Sequence, residues 1–350
     1  MILDTGYVHG GDIYSRPVRL DFSANVNPFG APEAVKAAVR AAAEDLCAYP
    51  DPYCTLLREK LAAVNGIEPD HVICGNGAAE LIYTFVAALR PKQALLPVPS
   101  FADYEGALLG AGCPPALYPL SRENGFLLTE DILSAIGPQT DLLLLCSPNN
   151  PTGRSVPQEL LLNILDRCRR TGTWLFLDEC FYELTDRDKA FSLTPYLREG
   201  DRVFLLRAFT KAYGMAGLRL GYGLCRNREL LMAMSRLVQP WNVSTPAQAA
   251  GVAALSCPHW PDTARALFQT EKPFLTENLS TLGFSVLPGD ANFLFFSGRP
   301  GLFDALWARG VLIRDCANYR GLQSGDCRIA VRTRRENVDL LHAIQEVWDV

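Results

Sequence analysis

Short apolar runs alternate with longer amphipathic segments over about residues 55–225, and this alternation restricts the possible folds more than any other feature. Uninterrupted apolar runs are typical of strands that helices cover on both faces of a parallel sheet. The segments between them have helical spacing, as in 157–170, where apolar residues form one stripe. The pattern predicts an α/β fold with a mostly parallel sheet. The predicted strands lie at 71–74, 94–98, 142–146, 174–178 and 203–207.

The regions on either side of this alternation are organised differently. A helix is predicted over 33–46, and nothing before it resembles a buried strand. Beyond about residue 230, helices are followed by three apolar runs and by a last helix at about 336–348. Strands grouped together with helices on one side are typical of a small α+β domain. Its predicted strands lie at 292–296, 310–314 and 328–332.

The length and charge of the chain limit its domain number and its partners. A chain of 350 residues is long enough for one large and one smaller domain. We expect the large domain to span 48–230 and the small one to combine 1–47 with 231–350. The formal charge of −5 argues against nucleic-acid binding, which requires a basic surface. No apolar run approaches the ~18 residues of a membrane span, so no membrane partner is expected.

The cysteine and histidine content bears on metal binding and on the cellular compartment. Eleven cysteines are scattered without C-x-x-C spacing, and the four histidines form no H-E-x-x-H motif. We therefore expect no metal site, and we interpret the cysteines as reduced core residues of a cytoplasmic protein. The N-terminal segment 1–17 is polar and interrupted by glycines, unlike a signal peptide.

Polar residues follow the predicted strands at the points where the strands end. The glycine turn 75–79 follows the first strand and opens a helix, and Asn150 lies in the turn after the third. Asp178 ends the fourth strand, and the fifth leads into Thr210 and Lys211. Ligands of parallel α/β proteins bind beyond the carboxyl ends of the strands. We therefore expect these groups to converge at one edge of the sheet.

Each of these features has an ordinary structural explanation when it is taken alone. The glycines could form a plain turn, and residue 80 is glutamate where a dinucleotide fingerprint requires a third glycine. Asp178 could cap the next segment, Asn150 could be a turn residue and Lys211 could be solvated. Together they suit pyridoxal 5′-phosphate (PLP), which needs a lysine for its aldehyde, a carboxylate for its ring nitrogen and a helix N-terminus for its phosphate.

With these motifs, the chain resembles fold-type I PLP enzymes of the aspartate-aminotransferase superfamily over essentially its whole length. The resemblance implies that Lys211, in the motif 207–211, holds PLP as a Schiff base, and that Arg219, in 217–221, binds its phosphate. It also implies that Asp178 pairs with the ring nitrogen and that Asn150 lies beside the ring hydroxyl. The other implied cofactor contacts are the turn residues Gly77, Ala78 and Ala79, the Thr210 hydroxyl and the stacking ring of Phe101.

The resemblance also implies a partner subunit. Tyr49, in the motif 49–52, matches a tyrosine that reaches the cofactor phosphate of the partner, so we expect a homodimer with shared active sites. A PLP-binding regulator that has lost catalysis is an alternative. Such proteins usually carry a DNA-binding appendage, for which the chain lacks N-terminal length, and Lys211 and Asp178 are intact. An enzyme is therefore favoured.

Two families of this superfamily, threonine-phosphate decarboxylases and histidinol-phosphate aminotransferases, act on amines that carry a phosphate ester. Phe181 lies where the common aminotransferase motif has a tyrosine that bonds the ring hydroxyl, which favours the decarboxylases, although drift would also explain it. The segments that resemble the decarboxylases more closely are 9–12, 21–28, 240–243 and 312–319.

The resemblance to the decarboxylases implies a set of substrate contacts. Arg328 would bind the substrate carboxylate and Arg314 its phosphate, with His9 as a helper and Ser23 and Asn25 in the adjoining loop. The implied reaction is decarboxylation of L-threonine O-3-phosphate to (R)-1-amino-2-propanol O-2-phosphate, a precursor of the cobalamin side arm. A class I/II aminotransferase, such as a histidinol-phosphate aminotransferase, and a decarboxylase of serine phosphate remain alternatives.

Overall fold

A computed structural model describes residues 9–15 and 17–348. Residues 1–8, part of the segment expected not to be a signal peptide, lie outside the described residues. The strands are β1 (Leu20–Asp21), β2 (Val72–Asn76), β3 (Ala94–Val98), β4 (Ala116–Pro119), β5 (Leu142–Cys146), β6 (Trp174–Asp178), β7 (Val203–Ala208), β8 (Leu220–Leu224), β9 (Ser285–Leu287), β10 (Phe293–Ser297), β11 (Val311–Leu312), β12 (Arg314–Asp315) and β13 (Asp326–Ala330).

The helices occupy the intervals between these strands and both flanks of the large sheet. The predicted helix over 33–46 ends as an α-helix at Ala42 and continues as a 3₁₀ turn over Ala43–Asp45. The α-helices are α1 (Glu33–Ala42), α2 (Thr55–Asn65), α3 (Gly77–Leu89), α4 (Ala102–Gly110), α5 (Ile132–Ala135), α6 (Gln158–Thr171), α7 (Phe209–Ala212), α8 (Arg228–Ser235), α9 (Thr245–Leu255), α10 (Trp260–Thr281), α11 (Leu302–Trp307) and α12 (Arg334–Trp348).

The largest sheet has the strand order β2-β8-β7-β6-β5-β3-β4. Strands β7, β6, β5, β3 and β4 are parallel, and β8 is antiparallel to both of its neighbours, β7 and β2. Because two reversals restore the direction, β2 runs the same way as β7. The carboxyl ends of β2, β5, β6 and β7 therefore lie at one edge, together with the amino end of β8. The predicted α/β fold with a mostly parallel sheet is confirmed.

Strand β8 is not predicted from the sequence because two glycines interrupt its apolar pattern. A Cβ on Gly221 would lie 2.5 Å from the backbone nitrogen of Ala78, and one on Gly223 would lie 2.1 Å from the Phe204 ring. Both distances are far shorter than normal van der Waals contacts, so these positions exclude any larger residue. The two glycines that interrupt the apolar pattern of β8 are therefore required for its packing against α3 and β7.

A second sheet, of order β12-β13-β10-β9, is antiparallel throughout, and β1 pairs in parallel with β11. Nothing before 33–46 resembles a buried strand in the sequence, and β1, which precedes that segment, is a half-buried strand of two residues that is too short to show a pattern. The prediction of a single strand over 310–314 is wrong. It divides at Ile313 between β11 and β12, which pair with different sheets.

Apolar side chains cover both faces of the large sheet. Leu143 and Leu145 of β5 pack in one core cluster, and Leu142 and Leu144 pack in the other. This arrangement accounts for the uninterrupted apolar runs, because every side chain of such a strand is buried. Eight of the eleven cysteines are buried as well. Among the described residues, no helix combines the length and apolar character needed to cross a bilayer.

Candidate functional site

A cavity of about 740 Å³ lies at the edge of the large sheet where β2, β5, β6 and β7 end. Strand ends, the first turns of α3 and α4, the segment 9–26 and the second sheet all contribute to its walls. The convergence predicted from the strand ends is therefore observed. The predicted site residues that line the cavity are His9, Ser23, Asn25, Ala78, Ala79, Phe101, Asn150, Asp178, Thr210, Lys211, Arg219, Arg314 and Arg328.

One wall of the cavity is an anion-binding cradle. The backbone N–H groups of Ala78 and Ala79 lie in the first turn of α3, where N–H groups have no partner within the helix. Arg219 lies opposite, because β8 runs against its neighbours and brings its amino end to this edge. Gly77 adopts φ +80°, and a Cβ there would lie 2.5 Å from Nη2 of Arg219. Gly77 therefore lies directly against the Arg219 guanidinium, although Gly77 does not line the cavity itself. A helix N-terminus beside an arginine suits a phosphate group.

The floor of the cavity carries a buried carboxylate. The Asp178 side chain is 5 % exposed; its Oδ2 accepts a hydrogen bond of 2.6 Å from the Tyr104 hydroxyl, and its Oδ1 accepts one of 2.8 Å from the Cys180 backbone N–H. Burial raises the pKa of Asp178, and these hydrogen bonds oppose that rise. Burial also holds the pKa of Tyr104 well above its ordinary value, so its hydroxyl stays protonated and donates.

Lys211 extends into the cavity from α7, directly after β7. Burial, assisted by repulsion from Arg328, lowers the pKa of Lys211 to about 8. Its backbone is fixed by Asn27, whose N–H donates to the Lys211 carbonyl at 2.9 Å and whose side chain donates to the Ala212 carbonyl at 2.9 Å. Nζ lies 5.6 Å from the centre of the Phe181 ring. A buried amine with a lowered pKa is suited to nucleophilic attack on a carbonyl group.

Two arginines face the cavity from the second sheet, on directly paired positions of β12 and β13. Arg328 donates through Nη1 to Asn150 Oδ1 and through Nη2 to the Ser23 carbonyl at 2.7 Å. Arg314 donates through Nη1 to the Asp315 carbonyl and through Nη2 to Asn318 Oδ1 at 2.8 Å. Burial lowers the pKa of Arg328, although a guanidinium keeps its charge in proteins.

Residues 9–11 cover one side of the cavity. His9 Nε2 lies 3.3 Å from Asp103 Oδ1, and the imidazole lies 5.8 Å from the Phe101 ring. Gly11 donates its N–H to Ser23 Oγ at 2.6 Å, and a Cβ on Gly10 would lie 2.5 Å from the Ser23 carbonyl oxygen. The glycines therefore allow the segment to lie directly on the loop that contains Ser23.

Tyr49 is a predicted site residue that the described chain does not bring to the cavity. Its side chain is 77 % exposed, and its ring stacks on Trp241 with the centroids 4.3 Å apart. A role for Tyr49 in a partner's site stays a prediction. Tyr182 likewise does not line the cavity, and its ring lies 4.7 Å from the guanidinium carbon of Arg207 instead. It therefore supplies no hydroxyl in place of the one that Phe181 lacks.

The residues in the cavity fit PLP. Asn25 Oδ1 and Arg328 Nε are buried, and within the described chain they have no hydrogen-bond partner, as expected of groups that await a polar ligand. The cradle suits a phosphate, Asp178 a ring nitrogen and Lys211 an aldehyde. Over residues 9–15 and 17–348, no three His, Cys, Asp or Glu side chains come together to hold a metal ion.

Asn27, Asp103 and Tyr104 are among the contributors to the site that are not predicted from the sequence. Tyr104 lies in the first turn of α4, directly after the predicted site residue Phe101, which is the N-cap of that helix. The partners of Asn27 and Asp103 are distant in the sequence, so only the fold identifies them.

Comparison with known proteins agrees with this geometry. The family model "Aminotransferase class I and II" matches residues 18–344. The threonine-phosphate decarboxylase of Salmonella typhimurium is 35% identical over 97% of this chain and 96% of its own length. The histidinol-phosphate aminotransferase of an Anaeromyxobacter species is 36% identical over 93% of this chain and 90% of its own.

The fold also matches known structures. The histidinol-phosphate aminotransferase of Clostridium acetobutylicum superimposes with a TM-score of 0.87 at 26% identity, over 94% of this chain and 99% of that chain. The family match spans nearly all of the described residues and includes every residue of the sheet edge described above. The chain therefore belongs to the class I and II aminotransferase family, and it is a PLP-dependent enzyme of that family.

Proposed function

We propose that this enzyme decarboxylates L-threonine O-3-phosphate to (R)-1-amino-2-propanol O-2-phosphate, a precursor of the cobalamin side arm, and that it works as a cytoplasmic homodimer with shared active sites. The observation that carries the proposal is the direct pairing of Arg314 with Arg328 at the wall of the cavity that contains Lys211. The 35% identity to a threonine-phosphate decarboxylase supports the same reaction.

The pairing of the two arginines favours a substrate with two neighbouring anionic groups. Directly opposed residues of antiparallel strands have Cβ atoms about 4.5–5.5 Å apart, and like charges at such positions destabilise each other. A ligand with two anions a few bonds apart neutralises both guanidinium groups. L-Threonine O-3-phosphate has this form, with its carboxylate and phosphate on adjacent carbons. Histidinol phosphate has the phosphate but no carboxylate.

The residues that would hold PLP are the cradle of Ala78, Ala79 and Arg219 at its phosphate, Phe101 at its ring, and Asp178 at its ring nitrogen. Bound PLP supplies an aldehyde that forms an imine with an amine and a ring that accepts the electrons released when a bond at Cα breaks. In this proposal Lys211 would hold the cofactor through its aldehyde.

The residues of the chain would then act on the substrate in separate roles. Arg328, fixed by Asn150 and the Ser23 carbonyl, orients the carboxylate that leaves as carbon dioxide. Arg314 binds the phosphate. The Lys211 Nζ delivers the proton that replaces the carboxylate at Cα, which suits a group whose pKa is about 8. The aromatic side chains of Phe101, Phe181 and Tyr319 line the cavity and limit the access of water.

An aminotransferase is the second candidate, favoured by the 36% identity to a histidinol-phosphate aminotransferase. In that reaction Lys211 would remove the Cα proton, and the carboxylate of the oxo acid would take the place at Arg328. Phe181 favours the decarboxylase, because no hydroxyl is present where the common aminotransferase motif has a tyrosine.

A decarboxylase of serine phosphate is a further alternative. Serine phosphate differs from threonine phosphate by one methyl group, which is worth only ~1–3 kcal/mol in a binding pocket.

Product analysis tests the proposal directly. The holoenzyme is incubated with L-threonine O-3-phosphate without an oxo acid, and carbon dioxide and aminopropanol phosphate are quantified. We expect one equivalent of each, with serine phosphate tested in parallel and Lys211→Ala as the inactive control. In a second incubation, with 2-oxoglutarate added, formation of glutamate without release of carbon dioxide would instead identify an aminotransferase.

A further inference from the structure

The first turn of α4 contacts three separate parts of the molecule through three consecutive residues. Asp103 contacts His9, Tyr104 donates to Asp178, and Glu105 forms an ion pair with Arg320. Asp103 and Tyr104 line the main cavity, whereas Glu105 lies outside it. The third contact therefore serves neither the cavity floor nor the segment at residue 9, and its function has to be sought where Arg320 lies.

The Glu105–Arg320 ion pair has forked geometry. Arg320 Nη2 donates to Glu105 Oε1 at 2.9 Å, and Arg320 Nε lies 3.2 Å from each carboxylate oxygen. The residues are 215 positions apart, so the pair connects α4 to the turn that follows β12. Two-point contact of this kind fixes the orientation of the groups as well as their distance.

The turn that Arg320 belongs to also holds the guanidinium of Arg314. Asn318 Oδ1 accepts from Arg314 Nη2 at 2.8 Å, and the Tyr319 ring centre lies 5.0 Å from the Arg314 guanidinium carbon. Arg320 is the next residue along the chain. A shift of the turn relative to α4 would therefore move two of the groups that orient Arg314, the Asn318 amide and the Tyr319 ring.

The turn and α4 form facing walls of a second cavity. A cavity of about 540 Å³ lies between them, lined on one side by Ala102, Glu105 and Leu109 and on the other by residues 317–321. The ion pair spans the two walls of this cavity. Tyr319 anchors the turn elsewhere, in a buried cluster with Phe126 and Phe295, and the ion pair is its polar link to α4.

We propose that Glu105 and Arg320 are positioning residues that hold the 317–321 turn on α4 and so orient Arg314 toward the phosphate of the substrate. This inference rests on the proposed function in one respect, namely that Arg314 binds a substrate phosphate. It does not depend on whether the reaction is decarboxylation or transamination, because both candidate substrates are phosphate esters. Neither residue is expected to contact the substrate.

The test compares holoenzyme variants Glu105→Gln, Arg320→Gln and the double variant. The dissociation constants of L-threonine O-3-phosphate and of unphosphorylated L-threonine are measured from the change in cofactor absorbance, alongside kcat and KM. An exposed ion pair is worth little, so we expect each single variant to weaken binding of the phosphorylated ligand by about three- to fivefold. Binding of L-threonine and kcat should stay unchanged, and the double variant should be no worse than either single one.

Arg169→Gln is the matched control. Arg169 also forms a forked pair, with Asp201 at 2.6 and 3.1 Å, but at the amino end of β7, the edge opposite the cavity. Equal weakening of both ligands, additive effects of the two variants, or no effect on the phosphorylated ligand would overturn the positioning role. If the wild-type enzyme acts on histidinol phosphate instead, the proposed function is wrong, and the same variants measured with that ester still decide the role of the pair.

Discussion

Removing the Tyr104 hydroxyl tests whether the Asp178 carboxylate depends on a neighbour that the sequence does not reveal. Tyr104 is fully buried, and its hydroxyl donates to Asp178 Oδ2 at 2.6 Å. Tyr104→Phe removes that oxygen and keeps the ring, which packs against Phe101 and Phe176. The substitution therefore removes the interactions of the hydroxyl, with Asp178 and with the Cys146 thiol, and leaves the ring packing in place.

The size of the effect follows from the charge of the acceptor. A hydrogen bond to a charged group contributes about 1.5–3 kcal/mol, equivalent to about tenfold to hundredfold in a binding constant. Burial already raises the pKa of Asp178, and loss of the Tyr104 donor would raise it further. A smaller fraction of Asp178 would then be ionised at neutral pH. Its partnership with a protonated ring nitrogen would weaken, so we expect the dissociation constant of PLP to rise tenfold to hundredfold and kcat to fall.

The assay is titration of the apoprotein with PLP, followed by cofactor absorbance, with the free energy of unfolding measured in parallel. Tyr222→Phe is the matched control, because its buried hydroxyl bonds to Arg207 and it packs in the other core cluster. An unchanged affinity for PLP in a folded Tyr104→Phe protein would refute the reasoning. Equal losses of PLP affinity in Tyr104→Phe and Tyr222→Phe would indicate a general effect on the stability of the protein.

Four further outcomes are expected. Because Lys211 has a pKa of about 8, the fraction of Lys211 present as the neutral amine rises with pH. The rate at which the apoprotein captures PLP should therefore rise about tenfold per pH unit below that value and level off above it. A pH-independent rate would contradict this. Gly221→Ala should lower the free energy of unfolding by about 1–3 kcal/mol and weaken PLP binding, because its Cβ would meet α3 backbone, whereas Gly217→Ala, with open space around it, should do neither. Arg314→Ala should raise KM by orders of magnitude, since breaking a buried charge pair costs ~3–5 kcal/mol, and a change of only a few-fold would exclude Arg314 as the phosphate ligand. Tyr49→Phe should weaken PLP retention, and mixed dimers with Lys211→Ala chains should regain one site per dimer; a fully active monomer in light scattering would exclude shared sites.

The parallel strands are the part of the fold that the sequence predicts best. The predicted bounds 94–98, 142–146 and 174–178 are those observed for β3, β5 and β6. Burial on both faces makes such strands uniformly apolar, and turn residues mark their ends. The split of 310–314 could not be predicted, because apolar character reports burial and does not report which strand accepts the hydrogen bonds.

The candidate site was predictable to the extent that it follows from strand direction. The carboxyl ends of β5, β6 and β7 carry Asn150, Asp178 and Lys211 to one cavity, as a parallel sheet requires. Arg219 follows from the resemblance alone, since its place depends on the reversed direction of β8. The domain boundaries and the partner-subunit role of Tyr49 stay predictions.

Neighbours in the sequence can have unrelated functions, and the first turn of α4 illustrates the physical reason. Successive helical residues point about 100° apart, so residues 103–105 face three directions and meet three different elements. Their residue types report only that two acids and a tyrosine begin a helix. Tyr104 and Tyr222 are both buried tyrosines, yet one bonds a cavity carboxylate and the other a structural arginine. Residue type and spacing therefore predict burial, whereas the chemical partner of a buried polar group is decided by topology.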